Sequence, residues 1–107
     1  MKELHGCTCD EGTWEATLDT MPLHEKTLRV KGICTCPTTG YKVRLVKAQP
    51  QGINKEVLIL RLETTPPDGN SGQIVTPYEP AYTEMGASYR KVTILPCDIT
   101  VDVKVIS

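Results

Sequence analysis

The chain has 107 residues and a formal net charge of −1, from 12 Lys and Arg against 13 Asp and Glu. Surface scaling for this size gives about 5,900 Å² folded against roughly 17,000 Å² extended, enough burial for one core without obligatory staples and too little for two. A hydrophobic fraction of 39% with 23% charged residues excludes a disordered chain, and the near-neutral balance argues against binding nucleic acid by counterion release.

Residues 1–12 read as an N-terminal tail or edge segment that carries the first cysteine pair, Cys7-Thr8-Cys9. A first strand is expected over 13–19, with Trp14 as a sheet-packing core residue. Pro22 after Thr20 allows a single helical turn over 21–26. Residues 27–36 alternate apolar and polar, the signature of a strand with one buried face. Its inward series is Leu28, Val30, Gly32, Cys34 and Cys36. The turn at 37–40, Pro-Thr-Thr-Gly, reads as a short hairpin-type connection to a strand over 41–48.

After a Pro- and Gly-containing break at 49–54, the run over 56–64 begins apolar on both faces, as a central strand does. Leu58, Leu60 and Leu62 are its expected inward set. The longest break, 65–72, holds two prolines and two glycines. Four further strands are expected over 73–77, 79–84, 89–95 and 98–106. In the last of them Ile99, Val101, Val103 and Val105 share the inward face.

Seven to eight short strands with regular turns predict an all-β fold, a single-domain antiparallel β-sandwich over 1–107, with a small barrel as the alternative. In strand count and spacing the pattern resembles the immunoglobulin-like sandwiches. The likeness is architectural and carries no site information. The Cys, Trp, Cys pattern of antibody domains is not matched in spacing, because Trp14 sits only five residues after Cys9 and before the other three cysteines.

No run approaches the roughly 18 apolar residues of a membrane span. Met1-Lys2-Glu3-Leu4-His5-Gly6 lacks the apolar stretch of a secretory leader, so the cytoplasm is expected unless a leader has been removed. The cysteines, Cys7, Cys9, Cys34, Cys36 and Cys97, are odd in number, which fits a closed disulfide framework poorly. The two Cys-Thr-Cys pairs have three readings. They are small buried hydrophobes in thiol form, a disulfide between the segments, or a zinc site with Cys7, Cys9, Cys34 and Cys36 as ligands. His5 or His24 could replace one ligand. In a flat strand alternate residues stand about 6.6 Å apart, against about 3.8 Å between two sulfurs on one zinc, so a metal would require bent backbone. Cys97, after Pro96, has no evident partner.

Catalytic constellations are not recognisable: His5 and His24 offer no nucleophile context, and Gly69-Asn70-Ser71-Gly72 lacks the lysine and helix of a phosphate loop. Glu79 and Glu84 beside Tyr82 read as a solvated face. If the strands 27–36 and 41–48 pair, Arg29, Lys31, Lys42, Arg44 and Lys47 share a basic region, with neighbouring acids expected to neutralise it. The expected function is therefore a non-enzymatic binding module. It would contact a protein partner through Pro67, Asp68, Asn70, Tyr78 and Tyr82, since tyrosines on a proline-fixed loop supply contact area at low entropic cost. A zinc-binding protein is the alternative. No nucleic-acid or membrane partner is expected, and homodimerisation would proceed by edge-strand pairing.

Overall fold

Alternation of apolar and polar residues carries through into eight strands. The computed structural model describes residues 6–22, 25–68 and 74–106. It contains β1 (Thr8–Asp19), β2 (Thr27–Cys36), β3 (Lys42–Lys47), β4 (Val57–Thr65), β5 (Thr76–Tyr78), β6 (Ala81–Met85), β7 (Lys91–Leu95) and β8 (Ile99–Ile106). Each expected strand is present, and no helix is found among the described residues. Pro22 lies in a turn, and Leu23 and His24 fall outside the described residues.

The strands run in the order β3-β4-β7-β8-β1-β2-β5, with β6 also on β2. Strand β8 is the corner. Its first half pairs antiparallel with β7, and its second half runs parallel to β1. One layer is thus β3-β4-β7-β8 and the other β8-β1-β2 with β5 and β6. On the opposite side β3 approaches β6, so the two layers come close to closing as a barrel. Strands β4 and β7 are also parallel. The sheet is therefore mixed, where antiparallel pairing was expected throughout. Alternation reports which face is buried and is the same for both pairings, so it carries no information on strand direction.

Two local expectations change. The turn over 37–40 carries the chain between layers: β2 pairs with β1, β5 and β6, and β3 pairs with β4. The five cations are accordingly separated. Arg29 meets Asp19 at 3.7 Å, Lys31 meets Glu15 at 3.6 Å, Arg44 meets Glu63 at 2.8 Å and Lys47 meets Glu84 at 3.5 Å. At the chain's end Ile99 is buried but Val105 is 65% exposed, because β8 runs past the core as it joins β1.

Aliphatic and sulfur-bearing side chains build the core. Leu28, Val30, Cys34, Cys36, Leu58, Leu60, Val92 and Ile94 have no accessible surface. Trp14 is the one buried aromatic among the described residues, with Tyr41, Tyr78, Tyr82 and Tyr89 packed against the core from its margin, and a bulge admits it. Asp10 pairs with Ile33 and Glu15 with Lys31, so four residues of β1 lie opposite Gly32. The Thr13 hydroxyl closes this bulge, donating to the Asp10 carbonyl at 2.6 Å and accepting from the Ile33 amide at 2.9 Å. The indole then lies on Gly32, where a Cβ would overlap Cδ2, Cε3 and Cε2 of the ring. A bulge that re-aims a side chain against a glycine of the facing strand is the usual device for such a fit.

Candidate functional site

All five cysteines meet at one corner. Cys9 on β1 stands directly opposite Cys34 on β2, and Cys34 in turn stands opposite Tyr78 on β5. Continuing the same register by one pair step places Cys7 opposite Cys36, and these two are joined by a disulfide with Cα atoms 4.1 Å apart. Because side chains alternate along a strand, Cys7, Cys9, Cys34 and Cys36 all project to the inner face. The two-residue spacing that looked unfavourable for one metal thus serves a ladder of facing pairs.

Cys97 comes from the β7–β8 turn. Asp98 there adopts φ 60°, in the left-handed region that Asp tolerates better than most residues, and the turn delivers Cys97 to Cys9, with which it forms the second disulfide. This bond ties the two layers together across 88 residues of chain. The expectation that Cys97 has no partner is corrected here. A contact of such separation leaves no trace in local spacing. Of the three readings for the Cys-Thr-Cys pairs, the link between segments holds for Cys7 and Cys36, and the buried thiol holds for Cys34.

Cys34 is the one free cysteine and has no accessible surface. Its sulfur and those of Cys7 and Cys36 all lie within 4.8 Å of one another. Burial pushes the Cys34 thiol up from its ordinary range, and the Asp10 carboxylate adds to the shift. Asp10 is itself held by the Thr35 hydroxyl at 3.1 Å.

The expected contact residues are dispersed. Pro67 is half-buried and Asp68 exposed, while Asn70 lies outside the described residues, as do His5 and the 69–72 glycine segment. Tyr78 and Tyr82 sit on β5 and β6, not on a loop, and pack against the core. The large apolar side chains that the segment leaves exposed, among the described residues, are Ile74 at 65% and Val75 at 66%, immediately before β5.

Glu84 faces inward beside Tyr82, correcting its assignment to a solvated face. The Tyr82 hydroxyl donates to its Oε1 at 2.7 Å and the Tyr89 hydroxyl to Oε2 at 3.2 Å, with Lys47 at 3.5 Å from Oε1. Burial, then the Glu84 hydrogen bond and charge, raise the Tyr82 phenol well above the ordinary tyrosine range. Lys47 is raised as well, first through Tyr89. This cluster closes the seam where β3 and β6 approach without pairing. Its signal in sequence was only that Tyr82 and Glu84 share a face with period two. No protein-family model, curated protein or solved structure matches the chain.

Proposed function

We propose that the protein is a non-enzymatic binding module that receives a strand of a protein partner along the outer edge of β5. The observation that carries this reading is the pair Ile74 and Val75. Both are largely exposed and lead directly into an edge strand whose outer side has no strand partner among the described residues. An open edge offers backbone acceptors, with donors only from residues other than Pro77, which has no N–H, and apolar side chains beside it supply the contact area. The scaffold we read as immunoglobulin-like in strand number and spacing, rolled toward a barrel. Pro67, half-buried, and Asp68, exposed, stay in the proposed contact set. Tyr78 and Tyr82 support it from the core side.

Replacing Ile74 and Val75 together with Asp tests the proposal. The double variant should lose the partner that the parent protein co-purifies, with a thermal midpoint within about 2 °C of the parent, since exposed substitutions change stability little. A second copy of the chain would register as a dimer in sedimentation that the variant abolishes. Retention of the partner by the variant refutes the assignment.

A second reading is favoured by the sulfur convergence: in a reduced chain Cys7, Cys34 and Cys36, with Cys9 as fourth ligand, would bind zinc. Tetrahedral zinc–thiolate bonds of about 2.3 Å need sulfurs about 3.8 Å apart. The two readings belong to different compartments, because the disulfide form persists in an oxidising environment and the thiolate form in the cytoplasm. Reduced protein that takes no zinc from a chromophoric chelator eliminates the second.

A further inference from the structure

Cys34 is the buried thiol of a corner that holds four other sulfurs, and its position in the ladder gives it a specific alternative partner. Along an antiparallel pair the closely spaced and hydrogen-bonded positions alternate, so residues two apart occupy equivalent sites. Cys9 and Cys34 therefore oppose each other in the same way as Cys7 and Cys36, two residues along both strands. The latter pair is joined with its Cα atoms 4.1 Å apart. Cys9 is instead bonded to Cys97, with Cα atoms 6.2 Å apart.

We propose that the five cysteines interconvert between two disulfide arrangements, and that the second presents Cys97 as a site of mixed-disulfide formation. In the step, local opening of the corner admits water to the Cys34 thiol, which loses its proton, and the thiolate attacks Cys9 Sγ. The Cys9–Cys34 bond forms, the Cys9–Cys97 bond breaks, and Cys97 leaves as a thiolate that takes up a proton. The number of disulfides is conserved and no external oxidant enters. The free thiol moves from a position with no accessible surface to the half-buried β7–β8 turn. There Cys97 can attack the disulfide of a small thiol such as glutathione disulfide, forming a mixed disulfide and expelling one glutathione thiolate.

Capture of the alternative products elsewhere in the cluster is disfavoured by the register. Attack on Cys36 would join two cysteines of one strand, whose Cβ atoms stand side by side on the pleat and do not face each other as a ladder pair does. Attack on Cys7 joins diagonal neighbours, and either route releases another buried thiol.

The test uses the oxidised protein and the variant Cys97→Ser. Four cysteines remain in the variant, and ladder pairing leaves no free thiol after denaturation. If Cys9 and Cys34 cannot pair, the same assay finds two, and the proposal fails. The parent protein is then incubated with glutathione disulfide, quenched with acid and mapped by proteolysis. The expected result is one glutathione on Cys97 in molecules that contain Cys9–Cys34. In Cys34→Ala the adduct disappears because Cys97 stays bonded to Cys9. An adduct on Cys34 in the parent, no adduct at all, or an undiminished Cys97 adduct in Cys34→Ala overturns the proposal.

Discussion

Gly32→Ala isolates the fit on which the inner face of β1 and β2 depends. Gly32 has no positive φ, so space alone excludes a side chain at this position. The added methyl would overlap three atoms of the Trp14 indole, which is 5% exposed and held by the Thr13-closed bulge. Overpacking of this kind costs about 1–3 kcal/mol. Loss of glycine's unfolded-state freedom returns about 0.5 kcal/mol. The net expectation is a destabilisation of about 0.5–2.5 kcal/mol, or roughly 2–15 °C in thermal midpoint for a domain of this size. Urea unfolding followed by far-UV circular dichroism measures it, in the parent and in a Trp14→Leu background. With the indole gone, Gly32→Ala should become neutral or stabilising by about 0.5 kcal/mol, leaving a coupling of about 1–3 kcal/mol. An equal cost in both backgrounds would refute the steric argument and point to a backbone requirement at Gly32.

Replacing Cys7 and Cys36 with Ala should remove about 3.6 kcal/mol by the loop-closure estimate for a separation of 29 residues, read from the urea midpoint against the parent. A change below about 1 kcal/mol would mean that the bond does not restrain the unfolded chain. Reducing Cys9–Cys97 as well, which closes 88 residues, should cost about 4.6 kcal/mol more by the same estimate. At high pH the Glu84 cluster should fail. The folded-state pKa of the Tyr82 phenol is raised, so its contribution is complete below the ordinary tyrosine value near 10 and declines as pH rises above that. Lys47 acts in the same direction. The urea midpoint should hold between about pH 7 and 9, then fall, with a shallower fall in Tyr82→Phe; an identical fall in both proteins rejects the role of the phenol.

What the linear chain determines here is local. Period-two alternation places the strands within a few residues of their observed limits, except that β1 begins at Thr8, inside the segment expected as an N-terminal tail or edge. It identifies Leu58, Leu60 and Leu62 as inward, and Cys34 and Cys36 as continuing the series from Leu28. Each of these depends only on which side of a pleat a residue occupies, and that repeats every second residue whatever the strand pairs with. Trp14 as core filler was legible for a similar reason, being the largest apolar surface in a chain without Phe.

Tertiary structure decided the rest, because it depended on register and on contacts distant in sequence. The direction of β1 against β8 and of β4 against β7 has no counterpart in alternation. The path over 37–40 from one layer to the other cannot be told from a hairpin by its Pro and Gly, which satisfy either geometry. Glu84 looked solvated because a carboxylate on a short strand is usually exposed. Only the approach of β3 to β6 brings Lys47, and the β6–β7 connection Tyr89, to meet it. The cysteines divide along the same line. Spacing placed Cys34 and Cys36 on one face of their strand, while facing them with Cys7 and Cys9 required the β1–β2 register, and pairing Cys9 with Cys97 required the last turn of the domain to fold back onto its first strand.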